Sequence, residues 1–333
     1  LRGAIAAGAL FVLPAVLLVW LAAGLYAMFG QLDWVQTLFG TVRPAVLAVI
    51  LAALVRMARH HLRGTRAWLP AAAAFLAMQF YQVPFPWIVL AAIAMGVVDN
   101  LVAANTATAT ATTQRTSVPW RTLSLGLLAW WAPVVLAGAA FGWDGLLASL
   151  GFFFSKVAVV TFGGAYAVLP YVADHAVNQA GWLSATAMKD GLALAEALPG
   201  PLVKVLPFAG FLAGWNHPAP LSPWVMATLG ALVTAWVTFV PSFLFILAGA
   251  PLVERLAENP QARTILNTIT AAVVGVIASL AVWFAAGVFA PDQPAMLYAT
   301  ITGLSLWLLV GRRWPIPAVI GLAAGGGLLR ALY

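Results

Sequence analysis

Apolar residues fill this chain in long runs that polar residues interrupt only briefly. The runs lie near 3–29, 34–55, 67–82, 83–98, 122–142, 145–170, 221–250, 264–290, 294–310 and 315–329. A helix needs about 20 apolar residues to cross the roughly 30 Å hydrocarbon core of a bilayer, so several of these are plain spanning helices. Those at 67–82 and 83–98 are shorter, and Val83-Pro84-Phe85-Pro86 between them predicts a tight hairpin turn. From about 171 to 215, charges, glycines and prolines break the pattern. The expected fold is all-α and polytopic.

Laying Pro14 on Pro241 exposes an internal repeat. The ungapped register carries Leu17 onto Leu244, Ala23 onto Ala250, Ala45-Val46 onto Ala272-Val273 and Val49-Ile50 onto Val276-Ile277. Pro84-Phe85-Pro86 then matches Pro315-Ile316-Pro317 after a short insertion. The basic residues give the two copies opposite bias. Arg56, Arg59, Arg63 and Arg66 follow the second run, where the preceding loop holds only Asp33. In the second copy Arg255 and Arg263 occupy the equivalent of the Asp33 loop, and Asp292 alone stands opposite the arginines. Basic residues favour the cytoplasmic side, so this reversal predicts an inverted-topology repeat with both arginine-bearing loops, 56–66 and 251–263, inside. Arg312 and Arg313 agree; Arg330 fits only if the last run does not cross or its side chain snorkels. The expected organisation is a partial first repeat over 1–98, a cytoplasmic linker over 99–121, an odd connecting helix at 122–142 and a complete second repeat over 143–333. The small-residue run from Ala103 to Thr113 marks the linker. Comparing the copies predicts that about 80 residues of the first precede Leu1.

Composition narrows the function. Of 333 residues 63% are hydrophobic and 8% charged, with a mean hydropathy of +0.98, against roughly a quarter charged in soluble domains. The net charge of +7 sits in short loops between apolar runs, where it sets orientation, so nucleic-acid binding is set aside. With no cysteine and four histidines lacking ligand-like spacing, neither a metal site, a cofactor nor enzymatic chemistry is expected.

Candidate chemistry concentrates in 151–215. Phe162-Gly163-Gly164 interrupts one apolar helix and Pro199-Gly200-Pro201 a second. Irregular backbone at membrane depth is tolerated only when protein-buried or lining a cavity. After each break a half-helix starts, so the amides of Ala165 and Tyr166, or of Leu202 and Val203, would present the positive dipole end to an anion. Pro201 suits the first helical position. Lys156 and Lys204 add full charge and Thr161 a hydroxyl; together these residues suit a doubly charged tetrahedral oxyanion. Glu196, in the last turn before the second break, is the candidate proton-coupling group, with Asp190 second because adjacent Lys189 and Gly191 suggest a solvated position. Plainer readings stay open: Gly163-Gly164 as helix packing, Pro199-Gly200-Pro201 as a surface turn, Lys156 and Lys204 as snorkelling side chains. Lys189 with Asp190 also reads as an exposed pair, Asp174-His175 as a solvated turn, and Arg43 as either a pathway or a snorkelling charge.

Phe162-Gly163-Gly164 through Leu169-Pro170, Trp182, and Ala195-Glu196-Ala197-Leu198-Pro199-Gly200-Pro201 resemble the paired signature of the chromate ion transporter family. Phe11-Val12-Leu13-Pro14 and Val83-Pro84-Phe85-Pro86 extend the resemblance into the first half. Family members carry both breaks in each half; here the first half shows neither. The resemblance implies a multi-pass inner-membrane carrier that exports chromate, coupled to the proton-motive force, with protons and lipid as further partners and a homodimer as one admissible assembly. Sulfate or another divalent oxyanion is the alternative substrate. A non-transporting membrane assembly subunit and a channel are the other classes.

Overall fold

A computed structural model describes residues 2–104, 120–161, 164–291 and 293–332, and its regular elements are helices throughout. The first half contains α1 (Arg2–Phe29), α2 (Asp33–His61), α3 (Thr65–Tyr81) and α4 (Phe85–Ala104); α5 (Trp120–Phe141) follows. The second half contains α6 (Leu146–Val160), α7 (Ala165–Asp174), α8 (Ala185–Ala197), α9 (Val205–Asn216), α10 (Pro223–Glu258), α11 (Pro260–Val288), α12 (Ala295–Leu306) and α13 (Ile316–Leu332). Single π turns extend α7 over His175–Gln179 and α12 over Trp307–Gly311, and a 3₁₀ turn, Leu202–Lys204, leads into α9.

Five of these are long and apolar enough to cross a membrane: Ala6–Phe29, Asp33–His61, Trp120–Phe141, Pro223–Leu247 and Pro260–Val288. Their burial separates them. About seven-tenths of the apolar stretch is buried in α2 and α11 (72% and 67%), but only 22% in α1 and α5. So α2 and α11 form the centre, and α1 and α5 present apolar side chains outward, as a lipid-facing helix must.

Capping sets where these helices start. Asp33 opens α2 and Arg59 lies in its last turn, each charge complementing the helix dipole. In α11 the Asn259 side chain accepts hydrogen bonds from the Gln261 and Ala262 amides, with Pro260 at the start where no N–H is needed. The two helices are each 29 residues long and are separated by the same offset that relates Pro14 to Pro241.

The halves interlock. The central helix α2 packs on α11 and on α12 and α13 of the other half, while α11 packs on α3 and α4. Polar contacts cross the same seams: Ser279 donates to Gln79 at 3.1 Å, and Thr302 donates to the Pro44 carbonyl at 3.1 Å. Around this centre α10 packs on α9, α6 and α5, and α1 lies against α9 and α10.

Several expected boundaries shift. Arg56 and Arg59 belong to α2, so the arginine-bearing connection shortens to the few residues before Thr65. Likewise α10 runs through Arg255 to Glu258, leaving Asn259 as the only residue between it and α11. Residues 99–104 of the expected linker continue α4, because the apolar spacing persists through Leu101 and Val102; the rest of the linker up to 119 lies outside the described residues. Asp174-His175 is helical rather than a turn, with the His175 ring stacked on Phe153 at 3.9 Å between centroids.

Candidate functional site

Two interrupted helices build the site. In the first, α6 ends at Val160 and α7 begins at Ala165, with Thr161 and Gly164 flanking the break; Phe162 and Gly163 lie outside the described residues. At 15 and 10 residues, α6 and α7 are each too short to cross a bilayer alone. The Thr161 hydroxyl turns back to the Val157 carbonyl, so it closes α6 instead of facing the break. Gly164 precedes α7 with φ 117°, a conformation that a Cβ would strain, and no side chain caps the helix. The Ala165 and Tyr166 amides therefore lack helical partners, as the first-turn amides of any helix do.

In the second interrupted helix, α8 starts on a Ser184 cap, whose hydroxyl accepts from the Ala187 amide, and stops at Ala197. Pro199, Gly200 and Pro201 follow. Gly200 has φ 113°, and a Cβ there would come within 2.6 Å of the Ala15 Cβ, so both its backbone angle and the approach of α1 demand glycine. Pro201 is extended (φ −68°, ψ 143°) and stands just before the 3₁₀ turn, one position earlier than expected. Lys204 is 1% exposed, and its ammonium donates to the carbonyls of Leu198 at 2.8 Å and Gly200 at 3.0 Å. It ties off the carbonyl end of α8 and neither snorkels nor reaches open space.

A single side-chain bond joins the breaks. The Tyr166 hydroxyl, in the first turn of α7, donates to Glu196 Oε1 in the last turn of α8, and α7 packs against the Leu202–Lys204 turn. Lys204 and Arg56 both lie within electrostatic range of Glu196. Arg56 comes from the last turns of α2, is exposed, and makes no hydrogen bond or ion pair among the described residues. The structure thus brings Gly164, Ala165, Glu196, Pro199, Gly200, Pro201 and Lys204 together, and adds Tyr166 and Arg56. Sequence reading had placed Arg56 in an orientation-setting loop.

Lys156 is not part of this assembly. It is exposed on the face of α6 that also carries the exposed Phe152 and Val159, opposite the buried Phe153, Phe154 and Val157.

Asp190 is neither solvated nor part of an exposed pair, contrary to expectation. It is fully buried, and its carboxylate accepts from Arg43 Nε at 2.6 Å and Nη2 at 2.9 Å and from the Tyr26 hydroxyl at 2.8 Å. Lys189 turns the other way, its Nζ 4.7 Å from the centroid of the Trp283 ring. Helical geometry explains the split, since neighbouring positions point about 100° apart on a helix. Arg43 and Asp190 were each visible as a charge inside an apolar helix, one in each half; opposite sign was the available signal for pairing them.

Discontinuous helices meeting at a carboxylate, set among long apolar spans, define a multi-pass membrane transporter. The sequence profile described as chromate transporter matches residues 1–97 and 148–328, and this chain belongs to that family, one of transporters rather than enzymes. It is 28% identical to a probable chromate transport protein of Synechococcus elongatus, over 98% of this chain and 77% of that protein. It is 27% identical to a chromate transport protein of Cupriavidus metallidurans over 98% and 75% of the two chains, and 32% identical to one of Pseudomonas aeruginosa over 83% and 62%. No solved structure matches the chain significantly.

Proposed function

We propose that this protein carries chromate out of the cytoplasm across the inner membrane, with the proton-motive force as its energy source. The observation that carries this reading is the Tyr166–Glu196 bond, which links the two helix breaks at a half-buried carboxylate within electrostatic range of Lys204 and Arg56. A dianion there would meet the free amides of Ala165 and Tyr166, the Arg56 guanidinium and the field of Lys204. Membership of the family and the printed names of the relatives favour chromate as the ion. Glu196 is the proton-coupling group of this reading; Asp190, locked to Arg43, is its structural counterpart.

The reading also takes the halves as inverted repeats, supported by the equal lengths and matching offset of α2 and α11 and by the reversed charge bias. Everted membrane vesicles test the function. Labelled chromate should accumulate inside them when they are energised, and a protonophore should abolish the accumulation. Sulfate accumulating in place of chromate would reassign the substrate within the divalent oxyanions. No accumulation of either ion by a protein shown to be folded would leave the assembly-subunit class.

A further inference from the structure

We infer that the oxyanion and a proton on Glu196 bind together, each raising the affinity for the other, so that the carrier moves its anion with a proton in the same direction. This rests on the oxyanion reading above and adds the sign of the coupling.

The charges facing Glu196 are few. On α7 there is Tyr166, whose hydroxyl donates to the carboxylate; on the turn before α9, Lys204; on α2, Arg56. Of the other charges on α8, Asp190 is held by Arg43 and Lys189 lies over Trp283. The other elements that pack on α8 are α1, α9 and α13, and their only charged side chains lie at the chain ends, Arg2 and Arg330.

Two positive charges and one negative therefore surround the break junction while Glu196 is ionised. A dianion added to that set leaves one net negative charge beside the buried Lys204 and the half-buried Glu196. Protonating Glu196 makes the set neutral with the dianion present. That difference is the repulsion between the carboxylate and the dianion, and linkage makes it reciprocal: the proton raises anion affinity by the same factor as the anion raises proton affinity. Tyr166 sharpens the point. The hydroxyl that satisfies Glu196 stands in the first turn of α7, the turn whose amides would receive the anion, so the carboxylate and the anion meet at one helix end.

The opposite sign, with proton and anion excluding one another, would require the proton to favour an arrangement in which the anion loses its donors, since a proton by itself only adds positive charge to the site.

The test is calorimetric titration of purified, detergent-solubilised protein over a range of pH. The ligands are sulfate, which is a dianion throughout, and chromate in the alkaline part, where it too is a dianion. The affinity should tighten as pH falls, approaching about tenfold per pH unit in the steepest part. Repeating the titration in buffers of different ionisation enthalpy should count close to one proton taken up per anion at high pH. Glu196→Gln should bind with the affinity of the acid form and little pH dependence; Tyr166→Phe should keep the pH dependence. If Glu196→Gln does not fold, the proton count on the unmodified protein decides alone. Proton release on binding, or tightening as pH rises, or a flat profile overturns the inference while leaving the oxyanion site standing. Failure of both anions to bind at any pH overturns the oxyanion reading itself and the inference with it.

Discussion

Arg43 on α2 and Asp190 on α8 are joined at two points, Nε to Oδ1 at 2.6 Å and Nη2 to Oδ2 at 2.9 Å, so that a helix of each half is held by one ion pair. Tyr26 of α1 completes the carboxylate, and its ring packs edge-on against Phe39 and Phe208. Asp190 is fully buried and the Arg43 side chain is 16% exposed. Removing one partner leaves the other charge unpaired in or at the edge of the core.

Asp190→Asn and Arg43→Gln should therefore each destabilise the protein strongly, by about 3–5 kcal/mol. The thermal midpoint and monodisperse yield in detergent report this. Replacing both together should cost clearly less than the sum of the two, because neither charge is then stranded. Additive losses would show that the pair is not coupled. A solvated Asp190, as the sequence suggested, would tolerate the change; its burial with Arg43 reverses that.

Lys156 and Lys204 should separate. Lys204→Ala strands the Leu198 and Gly200 carbonyls and removes the charge beside Glu196, so abundance and transport should both fall, the former by about 1–3 kcal/mol of stability. Lys156→Ala should leave both close to the unmodified level, since the side chain is exposed on the outer face of α6. Loss of transport in Lys156→Ala with normal abundance would return that residue to the site.

Arg56→Gln should keep the protein folded, its side chain being exposed and unpaired, yet weaken the anion. A partly screened charge acting on a dianion is worth about 1 kcal/mol, or roughly three- to tenfold in apparent affinity. Arg56→Lys should recover part of this, since an ammonium keeps the charge but not the planar fork. Initial rates against chromate concentration in everted vesicles give the number, and an unchanged KM in Arg56→Gln would remove the residue from the path.

Topology can be read by labelling. Single cysteines at Arg59 and Arg263 should both stay unlabelled by an impermeant reagent in intact cells and react after permeabilisation. Labelling of either from outside contradicts the inverted arrangement of the two halves.

If a chromate dianion leaves with one proton, one net negative charge crosses. An inside-negative potential drives that by about 2.3 kcal/mol per 100 mV. A pH gradient, alkaline inside, opposes it by about 1.4 kcal/mol per unit. Collapsing the potential alone, with valinomycin and potassium, should stop export, while collapsing the pH gradient alone with nigericin should not slow it. A marked slowing by nigericin would mean that proton and anion move in opposite directions, because that exchange is driven by the potential and the pH gradient alike.

The membrane class, the long spans and both helix breaks were legible in the sequence because each is local. Twenty apolar residues, a Gly-Gly pair or Pro-Gly-Pro act on their own segment of backbone whatever packs against it. The positions of Glu196 in the last turn of α8 and of Ala165 at the start of α7 followed from the same local rules. What lay beyond the sequence were the partnerships between segments far apart in it. Composition cannot tell which face of α8 turns toward α2, so Asp190 looked solvated beside Lys189 although their side chains diverge around the helix. Nor could it tell that Lys204 folds back onto carbonyls, that Arg56 comes within electrostatic range of Glu196, or that each central helix is gripped by the last two helices of the other half. In an almost wholly apolar chain nearly any helix face can be buried, and it is close packing together with the cost of an unpaired charge that selects the arrangement. Those terms exist only once the helices have met.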